Sequence, residues 1–210
     1  MRSGAVFAIA AALVMTALSP APSDAAGAPT LVRATVEQFD HGTLRVKTEM
    51  GQAATVTVTP KTKISGVAAR TLADIKPDDF IGVTALQGKD GTLHATEVHI
   101  FPAAMRGAGE GHHPFDRGPS SSMTNAAVSG MIKSADGEVF TLSYSDRATG
   151  KTGQVKIDIA PTVPIVALVP GDDSLLKPGA KALVFGPRNA AGGYTAFAII
   201  AEKDGVKPPM

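Results

Sequence analysis

Apolar and polar residues alternate along short stretches of this chain, as in Leu44/Val46/Thr48, Val56/Val58 and Phe140/Leu142/Tyr144. That period of two marks half-buried β-strands. Ten such segments are predicted: "LVRATVEQF", "TLRVKTEM", "ATVTVTP", "FIGVTALQ" and "HATEVHIF", then "AAVSGMIKS", "VFTLSYSD", "QVKIDIA", "KALVFGP" and "YTAFAIIAE". "DHG", "ADGE", "KDGT" and "AAGG" supply hairpin turns in which Gly or Asp tolerates positive φ. Pro178-Gly179 suits a type II turn ahead of a strand. Only "ARTLADI" and "GDDSLL" predict a helical turn, each between the third and fourth strand of its set.

The two sets are copies. "ADIKPDDFIGVTAL" resembles "SLLKPGAKALVFGP", with Pro77 matching Pro178 at an offset of 101. The same offset relates Pro60 to Pro161, Ile64 to Ile165, Leu93 to Tyr194, Ala95 to Ala196 and Val98 to Ile199. Before Pro60 the offset shrinks to about 95, which makes "SDRATGKTG" an insertion in the second copy. A repeat is the first organising fact to establish. Five short strands with one helical turn outline a small Greek-key barrel of the OB type. The expected class is therefore all-β: two tandem OB-like barrels, packed on one another because each core is small. The alternative is one β-sandwich sharing both sets of strands.

The expected organisation is a signal peptide at 1–25, a short linker at 26–30, a first barrel at 31–101, a connecting loop at 102–125, a second barrel at 126–203 and a tail at 204–210. The signal rests on Arg2, the apolar run Gly4 to Leu18, the breakers Pro20 and Pro22, and small residues at Ser23 and Ala25. Cleavage after Ala25 and a periplasmic or secreted mature chain are expected. The apolar run is too short for a good membrane span, and no other run is long enough, so no transmembrane segment is expected in the mature chain. There is no cysteine, which excludes disulfides and lipidation. The formal net charge of +1 gives no basic face for a nucleic-acid partner. Phe80, Phe140, Phe185 and Phe197 sit in apolar strand patterns and are expected in the core, which leaves no stacking platform for single strands.

The order of strands around "LADIKPDDFIGVTAL" and "GTLHATEVHI" resembles an exported bacterial family of unknown function with an OB-like barrel. The linker "MRGAGEGHHPFD" followed by "SSSMTNAAVSG" is similar to that of a narrower exported set reading M-R-G-x-G-E-G-H-x-P-[WF]-D, then M-T-N-A. Some relatives carry the label "metal ABC transporter permease", yet a permease needs several spanning helices. The resemblance implies the fold and a hint of metal handling, and it brings no activity.

The loop holds the candidate chemistry: Arg106, Glu110, His112, His113, Phe115, Asp116 and Arg117. Glu110, His112, His113 and Asp116 supply nitrogen and oxygen ligands suited to Zn, Ni or Cu(II). In a strand the adjacent histidines would point apart, whereas an irregular Gly-rich loop can aim both inward. A second reading is structural, with Arg106 and Arg117 pairing Glu110 and Asp116 to pin the loop over a barrel, anchored by Phe115. A solvated surface loop is the third. A 24-residue connection, Pro102 to Asn125, is unusual unless packed or functional.

Other features point less far. "GAGEG" runs into His-His-Pro rather than a helix, so it lacks a phosphate cradle. His99 is expected to face outward beside Glu97 as a surface pair, with His94 and His41 also on the surface. No G-x-S-x-G elbow occurs, and Asp78-Asp79 and Asp172-Asp173 read as turn caps. The expected protein is not an enzyme and requires no cofactor. It binds a small ligand or a periplasmic partner protein, with metal handling as the alternative and an unrecognised enzyme class as the second.

Overall fold

The computed structural model describes residues 30–134, 137–147 and 149–209. The expected signal peptide and its cleavage site lie outside them, as do Ala135 and Asp136 of the "ADGE" turn. The chain is all-β. Its first copy forms β1 (Thr30–Asp40), β2 (Thr43–Thr48), β3 (Ala53–Thr57), β4 (Lys63–Arg70), β5 (Phe80–Gln87) and β6 (Leu93–Ile100). A short β7 (Gly111–Pro114) follows. The second copy forms β8 (Ser121–Lys133), β9 (Glu138–Asp146), β10 (Lys151–Ile159), β11 (Ile165–Pro170), β12 (Lys181–Gly186), β13 (Tyr194–Thr195) and β14 (Ala198–Ala201). The two expected helical turns are 3-10 turns at Leu72–Asp74 and Asp173–Leu175. No helix among the described residues is long and apolar enough to cross a membrane.

All the strands join in one sheet that closes on itself at two places. In barrel I, β3, β2 and β1 continue into β12 and β14, and β13 returns to β3 in parallel, with Tyr194 opposite Val56. In barrel II, β10, β9 and β8 continue into β5 and β6, and β6 closes on β10 in parallel, with Leu93 opposite Ile157. Each ring has the OB strand order, with β13 and β14 counting as one interrupted strand, yet each draws three such strands from one copy and two from the other.

This differs from the expectation of one barrel in 31–101 and another in 126–203. The reason is β4 and β11, which are not among the ten predicted strands. They do not turn back onto their own copy. They pair antiparallel with each other, and Val67 faces Leu168, its own mate at the 101-residue offset. β4 also pairs with β14 and β11 with β6, both in parallel. The chain thus crosses from barrel I to barrel II along β4 and returns along β11.

The cores follow the rings, not the copies. Val36, Leu44, Val46, Val56, Val184 and Ile199 fill barrel I, and Leu176 caps it. Ile81, Val83, Phe140, Leu142, Ile157 and Ile159 fill barrel II, and Ile75 caps it. Val67, Val166 and Leu168 form a smaller cluster where the barrels meet, with Phe101, Met105 and Ile200 against it.

The proline turns lock the exchange. Asp78 (φ 68) and Gly179 (φ 90) take the positive φ that the third residue of a type II turn requires. The Gly179 N–H donates to the Val36 carbonyl at 2.8 Å, and the Val36 N–H donates back to Ala180 at 2.8 Å. Asp78, Asp79 and Val128 repeat this exchange at 2.9 Å in both directions. Both receiving strands change register just beyond the contact, after Val36 and after Val128.

Candidate ligand-binding site between the barrels

Outward-facing positions of the two barrels meet across a cavity of about 440 Å³. On barrel II, His99, Gly82 and Asn125 stand in one cross-strand row on β6, β5 and β8. Glu97, Thr84 and Met123 form the next row. The repeat places the corresponding rows of barrel I opposite them. These are Ile200, Leu183 and Arg33, then Ala198, Phe185 and Leu31. The walls are built from equivalent positions, but one is polar and the other mostly apolar.

His99 does face away from its own barrel, but it is no surface residue. The neighbouring barrel covers it, and His99 and Glu97 are each only 7% exposed. Burial pushes the His99 imidazole down to about 4, so it is neutral at ordinary pH. Among the described residues its Nε2 has no hydrogen-bond partner. Glu97 accepts a hydrogen bond from Thr84 Oγ1 at 2.6 Å. Burial raises the Glu97 pKa, against the lowering effects of the Thr84 bond and the charges of Arg117 and Arg33.

Asn125 is oriented by its Nδ2, which donates to the Ala108 carbonyl at 3.2 Å, leaving Oδ1 buried without a partner among the described residues. Gly82 makes this possible. A Cβ there would lie 2.6 Å from Asn125 Oδ1 and 2.9 Å from the Phe101 ring. Phe80 and Phe140 are buried as expected, at 4% and 0% exposure. Phe185 and Phe197 depart from the expectation, because they line this cavity instead of a barrel core, and Phe197 is 51% exposed.

The connecting segment is the roof. It is not irregular throughout: it contains a 3-10 turn at Ala103–Met105 and β7, and residues from Ser121 onward already belong to β8. Met105, Ala108, Gly109 and Phe115 line the cavity. The pairing expected within the segment is replaced by contacts to both barrels. Arg106 donates to the Asp78 carbonyl and to Asp78 Oδ1, both at 2.7 Å, rather than pairing with Glu110. Glu110 Oε1 accepts from the Ser145 N–H at 2.9 Å. Asp116 accepts two bonds from Arg33, at 2.6 and 2.8 Å, and the same guanidinium lies 5.3 Å from the centre of the Phe115 ring. Arg117 reaches Glu49 at 3.5 Å.

The four candidate metal ligands are not gathered into one cluster. β7 is a paired strand, so His112 and His113 point to opposite faces. His112 Nδ1 lies 2.8 Å from Thr124 Oγ1, and its ring stacks on Tyr144. Burial lowers its pKa, and His113 adds to that. His113 is exposed, with its ring folded over Gly111. Among the described residues no three His, Cys, Asp or Glu side chains form a group that could hold a metal ion. His94 pairs with Asp158 at 3.5 Å and His41 with Asp40 at 2.6 Å.

Single exposed ion pairs contribute only about 0–1 kcal/mol. The roof therefore relies on Phe115 and on the bidentate Arg33–Asp116 contact together. The Arg33 hydrogen bonds hold the Asp116 carboxyl below its ordinary 3.8. This attachment is complete at neutral pH and is lost only as pH falls through that lowered value. In Asp116→Asn, trypsin is expected to cut after Arg117 several-fold faster than in wild type at pH 7.5. Equal rates would mean that Arg33 does not hold the segment down.

The polar wall was within reach of the sequence. Aligning the copies sets His99 against Ile200, Thr84 against Phe185 and Gly82 against Leu183. Outward positions that become large and apolar in one copy signal a covered surface.

Comparison with known proteins adds one partial family match and no activity. No curated protein and no solved structure matches the chain. Residues 33–99 match the family model described as a domain of unknown function (DUF5666). That matched unit runs from β1 into β6, so it supplies three strands of barrel I and two of barrel II. Across those residues the chain is similar to a domain of unknown function.

Proposed function

We propose that this is an exported, non-catalytic binding protein whose ligand occupies the cavity between the barrels. The observation that carries this reading is an apolar cavity of about 440 Å³ with two unpartnered buried polar atoms, His99 Nε2 and Asn125 Oδ1, on its lining residues. Ligand sites are of this kind: mostly apolar, of roughly 300–1,000 Å³, with a few polar groups that fix orientation. A buried polar atom without a partner costs about 1–3 kcal/mol, which a ligand bonded to either side chain, turned toward the cavity, would offset. The Thr84 hydroxyl is committed to Glu97 and not to His99, which favours recognition over a nucleophile–base pair. Export rests on the charged, apolar and small-residue pattern of the first 25 residues.

The test is capture of N-phenyl-1-naphthylamine, a neutral dye that fluoresces in apolar surroundings. Wild type is expected to bind it. Ala198→Trp, which fills the cavity from the apolar wall, is expected to weaken binding at least roughly tenfold, about 1.4 kcal/mol, with thermal stability nearly unchanged. Equal binding by a folded Ala198→Trp variant would place the dye elsewhere and reject the reading. Native mass spectrometry of the mature protein from its own host would then identify any retained ligand.

A further inference from the structure

We infer that the ligand is an uncharged amphiphile, its hydrogen-bond donor directed at barrel II and its hydrocarbon flank laid on barrel I. This rests on the cavity being the binding site, and it adds the ligand's chemistry and orientation.

The first argument comes from the repeat. Equivalent positions face each other, so identical copies would give identical walls. Instead His99, Glu97, Thr84 and Gly82 on barrel II oppose Ile200, Ala198, Phe185 and Leu183 on barrel I. Arg33 is the polar member of the apolar wall, and its guanidinium is taken up by Asp116 and Phe115. A molecule in contact with both walls meets polar side chains on one side and hydrocarbon on the other.

The second argument is a donor and acceptor count. Asn125 spends an N–H on Ala108 and is left with the oxygen, which only accepts. Glu97 uses Oε1 for Thr84, and its other oxygen has no donor among the described residues. His99 is neutral and adds one nitrogen that accepts or donates according to its tautomer. Acceptors therefore dominate the wall, and the complementary ligand carries a donor, a hydroxyl in the simplest case.

The third argument is charge. Around Glu97 stand Arg33, Arg117 and Asp116, two positive charges beside two negative ones. An ammonium would meet the arginines and a carboxylate would meet Glu97 and Asp116. At this wall neither finds a surplus of opposite charge to repay its desolvation. Exposed Lys63 also lines the cavity and is the partner that a carboxylate, turned the other way round, would use.

The experiment is displacement of N-phenyl-1-naphthylamine from the mature protein at pH 7 by 1-decanol, decanoate and decylammonium, which share one chain and differ in the head. Decanol is expected to displace at roughly tenfold lower concentration than either ion. Asn125→Leu should erase most of that advantage, and His99→Phe serves as a second variant should Asn125→Leu fail to fold. Equal displacement by all three would leave an apolar pocket and overturn the head-group assignment. Preference for decanoate would overturn it too, in favour of Lys63. Absence of dye binding by the folded wild type would overturn the pocket itself, and this inference with it.

Discussion

Leu176→Ala is expected to lower the stability of the whole chain by about 2–5 kcal/mol, as truncation of a buried leucine does. Leu176 is 3% exposed and belongs to the core of barrel I, whose first three strands come from the other copy. Ile75→Ala should cost a similar amount from the opposite side, since Ile75 is equally buried and caps barrel II. The informative measurement is urea unfolding followed at Tyr194, in barrel I, and at Tyr144, packed against the barrel II core, with one tyrosine replaced by Phe in each reporter protein. Both reporters should move together in either alanine variant, because each barrel holds strands of both copies. If Leu176→Ala melted only the barrel I signal, the exchanged pairing would be wrong.

His99 should make stability fall on mild acidification. Its ordinary pKa of 6.5 is depressed to about 4 by burial. Between those values the unfolded chain takes up a proton that the folded chain does not. Stability therefore drops as pH goes from 6.5 toward 4, by about 3 kcal/mol in all. Glu97 works the other way, because its raised carboxyl pKa makes the folded state the better proton binder above 4.5. The difference between wild type and His99→Phe isolates the histidine. Urea midpoints at pH 7.5 and 4.5 should converge in the variant relative to wild type. An unchanged pH dependence would show that His99 is hydrated and that the cavity wall is not dry.

Alternation placed the strands because a half-buried strand must repeat every two residues. The repeat paired Ile75 with Leu176 because both sit just before the same proline turn. Alternation says which face of a strand is covered but not by whom, and so the barrel partners were not legible. β4 is not legible because Ser65 and Gly66 break its pattern, and β11 because "IVALVP" is a short run ending in proline. The direction of His99 was readable from its neighbours Val98 and Ile100, while its burial comes from a second barrel that only the crossing strands bring near. The same gap explains the segment over the cavity. Its glycines and prolines read as irregular, and its arginines bond acids in distant turns, Asp78 and Glu49, rather than those beside them.

The crossing strands have one more consequence, for what the covalent link between the copies is needed for. Each barrel is stitched from both copies through the β1–β12 and β5–β8 pairings and the proline turns, and none of these passes through residues 102–120. A chain nicked within that segment would be an intertwined heterodimer, whose two pieces separate only by unfolding both rings. The roof of the cavity is thereby relieved of holding the protein together, and its bonds to Arg33, Asp78 and Ser145 serve only to seat it.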